Sequence, residues 1–250
     1  MLIQNKIAIF VATILPTPRN LVIAIDGPAA SGKSTTARLV AEQLNYLHID
    51  TGAMYRAITL RVLEEGVNAA ETGIVQKIAE QTSVLLERDR SGNRVYVDGR
   101  DVSNEIRSPR VTALVSKISS ILAVRTVLVR EQRRMAEKGG VVLEGRDIGT
   151  VVLPDADLKI FMTANVRQRA LRRSKELASA GLDVDVENLE KEIESRDRQD
   201  STRETSPLRK APDAIELDTS NLTIEQQVDF IVRHARALIA HGTKKHKDNG

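Results

Sequence analysis

Two hydrophobic rhythms alternate along the chain. Short apolar runs, Leu21 to Ile25, Leu47 to Ile49, Val141 to Leu143, Leu158 to Met162 and Ala214 to Leu217, read as buried strands. Between them lie longer stretches whose apolar residues recur at helical spacing, as Ala37, Val40, Ala41 and Leu44 do after the first strand. The pattern predicts helices from Lys33 to Leu44, Ala57 to Leu63, Glu71 to Gln81, Pro109 to Ile121, Val124 to Lys138, Asn165 to a break at Gly181, Asp185 to Arg203, and Thr223 to Ile239. Thr163 and Asn165 are candidate N-caps, and Thr223 with Gln226 forms a capping box. One segment breaks the rhythm. Ser83 to Glu87 and Arg94 to Val97 alternate around Ser91-Gly92-Asn93, a β-hairpin signal inside an apparent insertion from about Gly66 to Arg107. Strands separated by helices predict an α/β fold with a largely parallel sheet.

Composition narrows the class. Six aromatics, three Tyr and three Phe with no Trp, imply an aliphatic core and count against binding a single-stranded nucleic acid by stacking. Thirty-seven Lys and Arg against 34 Asp and Glu leave +3, too balanced for a polyanion binder. No cysteine excludes disulfides and thiolate metal sites, which is compatible with a cytoplasmic setting. Lys6 and the apolar run from Ile7 to Leu15 are too short to span a bilayer and have no small-residue cleavage site behind them. Residues 1–20 are therefore expected to be an extension outside the fold, or translated sequence ahead of a true start near Leu21, and 241–250 a disordered basic tail.

The chemistry concentrates after the first strand. Gly27, Pro28, Ala29, Ala30, Ser31, Gly32, Lys33, Ser34 and Thr35 complete the pattern G-x-x-x-x-G-K-[ST] between a strand and a helix. Such a loop turns backbone N–H groups inward around a phosphate, and the helix start adds unpaired donors. Lys33 is placed for the β- and γ-phosphates and the Ser34 hydroxyl for Mg2+; the reading is a nucleoside triphosphate site. Asp50, Thr51, Tyr55 and Arg56 follow the second strand, where open α/β sheets bind ligands. Asp50 reads as an outer carboxylate near the metal, with a helix N-cap as the alternative, and Arg56 as a ligand or a solvated helix residue. Arg146 and Asp147 follow another strand. Arg169, Arg172 and Arg173 share one helix face, and Arg196, Asp200 and Arg203 another. A lone exposed arginine is usually solvated, but two stripes suit a second phosphorylated substrate. No histidine falls in a catalytic pattern: His48 lies in a strand and the others near the end. A phosphate monoester acceptor needs none, because it is mostly dianionic at neutral pH. The alternatives are a P-loop kinase for another small acceptor and a P-loop switch, the latter weakened by the lack of an Asn-Lys-x-Asp motif.

The segments IAIDGPAASGKST, IDTGAMYRA, VSNEIR, VVLEGRDIGTVVLPDA, SRDRQDSTR and DAIELDTSNLTIEQ together resemble the bacterial cytidylate kinases, a branch of the nucleoside monophosphate kinases. The resemblance spans residues 21–240. It implies a P-loop NTPase fold with a monophosphate-binding insertion at about 53–138 and a short lid at about 165–183. It also implies a monomer that transfers phosphate from ATP to CMP or dCMP with Mg2+, and uses neither nucleic acid polymer nor membrane. By matching motif, Thr51 and Tyr55 would flank the base, Ser116, Arg125 and Asp147 would read cytosine, and Arg56, Arg146 and Arg203 would hold its phosphate. Arg196 and Asp200 would lie near the ribose. Arg169, Arg172 and Arg173 would close on ATP and, with Lys33 and Arg146, neutralise the transferring charge.

Overall fold

The computed structural model describes residues 20–89, 92–179, 181 and 184–245. The predicted extension, apart from Asn20, lies outside the described residues, as do the tip of the hairpin and residues 246–250. The chain runs β1 (Val22–Asp26), α1 (Lys33–Leu44), β2 (Leu47–Asp50), α2 (Thr51–Glu64), α3 (Thr72–Gln81), β3 (Val84–Asp89), β4 (Gly92–Val97) and β5 (Arg100–Asp101). After a single 3₁₀ turn (Glu105–Arg107) come α4 (Pro109–Ser120), α5 (Leu122–Ala136), β6 (Val141–Gly145), a π-helical turn (Ile148–Val152) and β7 (Leu158–Thr163). The chain closes with α6 (Val166–Ser179), α7 (Val186–Thr202), β8 (Ile215–Asp218) and α8 (Ile224–Lys245).

Five strands form one sheet in the order β2-β6-β1-β7-β8, with every neighbouring pair parallel. The apolar runs are continuous because both faces are covered. Along β1, Ile23 and Ile25 pack with Ala37, Val40 and Ile231 beneath α1 and α8, while Ala24 joins Ile49, Ile58, Leu128 and Leu143 on the other face. Parallel register brings the carboxyl ends together, pairing Asp50 with Glu144 and Asp26 with Gly145. The second sheet, β3-β4-β5, is antiparallel. It meets the rest through α2, which is apolar on two faces: Met54, Ile58 and Val62 enter the main core, whereas Ala53, Ala57 and Leu60 pack against Val95, Val97 and Ile106. Helices α6 and α7 enclose a small core of Ala170, Leu189 and Ile193, against which Ala30 of the glycine loop packs.

Several expectations need correction. Helix α2 begins at Thr51, ahead of the predicted Ala57–Leu63 stretch, and the Asp50 carboxylate caps it by accepting from the Ala53 N–H at 2.9 Å, the N-cap reading of that residue. Leu47 is 47% exposed, since β2 is an edge strand covered less fully than its apolar run implies. Helix α7 ends at Thr202, so Arg203 is its extended C-cap and no longer part of a helical stripe. Helix α8 continues through 241–245, residues expected to be a disordered tail. Of the N-caps, Asn165 accepts from the Gln168 N–H, and Thr163 is the last residue of β7. Among the described residues no single helix is long and apolar enough to cross a membrane.

Candidate active site

The glycine loop is shaped by what it must pass. A Cβ on Gly27 would lie 2.2 Å from the carbonyl oxygen of Met162, so only glycine lets the loop cross β7 there. Gly32 sits at φ 94° as the N-cap of α1 and offers no side-chain cap, leaving the first-turn N–H groups available to an anion. Inside the loop the Lys33 ammonium donates to the Pro28 carbonyl at 2.6 Å. Burial, reinforced by the charge of Arg146, pulls Lys33 down to about 7, against the attraction of Glu144 and Asp26. The loop is held from outside by two arginines of α6. Arg169 donates to the Ala29 carbonyl and pairs with Asp197 at 2.6 Å; Arg172 donates to the Ser31 carbonyl and to Thr219. Both were expected to close on ATP, and both guanidiniums are engaged with the loop and its surroundings. Arg173 pairs with Glu176.

Beside the loop lies a carboxylate corner. The Ser34 hydroxyl donates to Glu144 Oε2 at 2.8 Å, and His48 Nε2 meets Glu144 Oε1 at 3.1 Å. Burial alone would push the Glu144 carboxyl up, but His48, Lys33 and Ser34 outweigh it and hold it below its usual range. Asp50 is pushed the other way, first by burial and then by the charge of Glu144. An ionised carboxylate beside a serine hydroxyl at the loop suits Mg2+, which binds one or two protein oxygens and completes its shell with phosphate and water. His48 thus reaches this corner through Glu144, although the sequence pattern places it in no catalytic constellation. Asp26, at the end of β1, accepts from the Ile148 and Gly149 N–H groups, both at 2.8 Å, and is raised to about 6 by burial. It ties the loop carrying Arg146 and Asp147 to the strand that opens the phosphate loop.

Arg146 and Arg196 lie close enough to Lys33 for their charge to act on it, and they belong to a cluster of guanidiniums. Arg56, from α2, donates to the Ile106 carbonyl and the Thr112 hydroxyl. It is lowered to about 10 by burial and then by Arg196, Arg107 and Arg173. Arg196, from α7, is lowered by burial and then by Arg146 and Arg173, and its buried Nε has no hydrogen-bond partner. Arg146 donates from Nε to Asp200 at 2.8 Å. Next to this cluster Asp147 is pinched between two cations. It is ion-paired with Arg125, and Arg203 Nη2 lies 3.8 Å from its other oxygen. The Arg125 guanidinium stacks over the Tyr55 ring, 5.6 Å from the centroid, and burial pushes that phenol up to about 12. Arg203 is itself lowered, first by burial.

Ser116 is half-buried on α4, one turn before Ser119, whose carbonyl accepts from Arg125. Thr51 spends its hydroxyl on the Glu144 carbonyl at 2.7 Å, as a brace between α2 and β6. Glu144, Asp26 and His48 stand in the candidate site although the sequence pattern does not single them out. For the two carboxylates a signal existed, since each follows an apolar strand directly; for His48 there was none.

A main-chain anion cradle facing a side-chain one, with a carboxylate corner for a metal between strand ends, marks the class as a P-loop phosphotransferase. Known proteins narrow this further. The family described as cytidylate kinase matches residues 23–237. A cytidylate kinase of Pelotomaculum thermopropionicum is 52% identical over 216 residues, covering 86% of this chain and 96% of that protein. One of Limosilactobacillus reuteri is 49% identical over 214 residues, covering 85% and 94%. One of Desulforamulus reducens is 52% identical over 210 residues, covering 84% and 94%. The chain belongs to the cytidylate kinase family.

Proposed function

We propose that the enzyme transfers the γ-phosphoryl group of ATP to CMP or dCMP, giving ADP and CDP or dCDP. The observation that carries this is Asp147 held between Arg125 and Arg203 beside the Arg56, Arg146 and Arg196 cluster. A carboxylate accepts from the 4-amino group of cytosine and repels the carbonyl that uracil has there. Arg125 complements the N3 and O2 edge. The Arg56, Arg146 and Arg203 guanidiniums suit a phosphate dianion, with Arg196 and Asp200 toward the ribose and Tyr55, Thr51 and Ser116 bounding the base. The acceptor phosphate is its own nucleophile, so positioning and charge neutralisation suffice and no general base is required. As an oxygen of CMP phosphate bonds to the γ-phosphorus, the bond to the β,γ-bridging oxygen breaks and ADP leaves.

Lys33 and the loop N–H groups from Gly27 to Thr35 would hold the ATP phosphates. Mg2+ would sit by Ser34 and Glu144, with Asp50 behind, and supply charge neutralisation when bound. Residues 53–138 would form the acceptor-binding unit and 165–183 a lid. Its Arg173 would neutralise charge on the transferring phosphate, and Arg169 and Arg172 brace the loop. We assign a monomer working in the cytoplasm. A panel of acceptors with MgATP and coupled ADP detection tests the proposal: strong preference for CMP and dCMP is expected, and equal turnover of AMP, GMP and CMP would overturn it.

A further inference from the structure

We propose that His48 is a positioning residue that holds the Glu144 carboxylate against Ser34. The inference rests on reading that corner as the metal side of the donor site. Strand β2 alternates, sending Ile49 into the core beneath α2 and leaving His48 and Asp50 on the opposite face, toward α1. In register, His48 pairs with Val142 and Asp50 with Glu144, so the imidazole lies one pleat behind the Glu144 carboxylate on the same face and reaches forward to it. Both side chains are about 4% exposed, and their contact is 3.1 Å. An ionised carboxylate only accepts, so Nε2 carries the proton in this bond.

The two oxygens of Glu144 are thus separately anchored, Oε1 by His48 and Oε2 by Ser34. Asp50, on the neighbouring strand end, pushes against the same charge. With His48 replaced by an apolar residue, Oε1 would be buried without a donor beside a repelling carboxylate. Glu144 would then turn to find another partner and lose its alignment on Ser34. Outer groups that orient ligands in this way control metal affinity.

The test uses three variants of the full chain. His48→Leu removes the donor, His48→Asn keeps polarity but is too short to reach Oε1, and His48→Gln restores a donating N–H at similar reach. Mn2+ binding in the presence of ADP is read by electron paramagnetic resonance, beside the Mg2+ needed for half-maximal rate, KM for CMP and thermal midpoint. Leucine and asparagine should weaken Mn2+ binding and raise the Mg2+ requirement roughly tenfold, with KM for CMP unchanged and glutamine recovering most of the loss. Unchanged Mn2+ affinity in His48→Leu and His48→Asn would overturn the proposal. So would equal losses in all three variants together with a parallel fall in thermal midpoint, which would make His48 a packing residue only. If the parent enzyme proves indifferent to CMP, the functional reading fails, while the Mn2+ comparison still decides the role of His48.

Discussion

The two anion cradles we propose are built on opposite principles. The donor cradle is one contiguous loop, Gly27 to Ser34, and its binding groups are largely main-chain N–H donors whose direction follows from local backbone geometry. The acceptor cradle draws side chains from α2, α5, the turn after β6, α7 and the chain just beyond it. Burial depresses Arg56, Arg196 and Arg203 from the usual arginine range, and repulsion from neighbouring guanidiniums adds to it. Arg56 and Arg203 are held by neighbours that satisfy part of the fork, the Ile106 and Ser206 carbonyls, while the buried Nε of Arg196 has no partner. A loop can preorganise dipoles at little electrostatic cost, whereas gathered cations need a whole fold to hold them until a dianion arrives.

That contrast can be broken from either side. The largest effect is expected on the donor side: Lys33→Met should lower kcat about 1,000-fold in the coupled assay, the scale of a lost transition-state charge contact. A rate near that of the parent would show that the loop N–H groups alone hold the transferring phosphate. On the acceptor side, Arg203→Ala should lower kcat/KM for CMP about 100-fold and leave ATP binding by calorimetry intact. The reverse pattern would move Arg203 to the donor cradle. Asp147→Asn sharpens the comparison within the acceptor cradle. It should narrow the preference for CMP over UMP by about 1–3 kcal/mol, measured as the ratio of kcat/KM, while unchanged selectivity would remove Asp147 from base reading.

The smallest effect concerns stability. Lys33 titrates near 7 in the fold and at 10.5 ordinarily, so between these values the unfolded chain binds more protons than the native one. Stability relative to Lys33→Met should therefore rise with pH across that window and level off below about 7, where both states carry the proton. Thermal midpoints of both proteins without nucleotide, compared at intervals across the window, check the sign. A flat difference would mean that Lys33 is solvated.

What could be read in the chain was whatever depends on near neighbours. The glycine loop, the Thr223 and Gln226 capping box, with reciprocal bonds of 2.9 and 3.3 Å, and the strand–helix alternation all follow from spacing along one segment. The differences fall where tertiary context decides. Helix α2 starts at Thr51 under the Asp50 cap, Leu47 is exposed because its strand lies at the sheet edge, and α6 holds Arg169 against Asp197 of α7 and the loop carbonyl. The sequence alone determined that the protein has a phosphate loop in an α/β fold and arginines enough for a second anion. Only the tertiary structure decided which arginines face Lys33, that Asp147 lies between two of them, and that His48 touches Glu144. Parallel strands set 96 positions apart in sequence side by side there, and no local rule of spacing carries information over that distance.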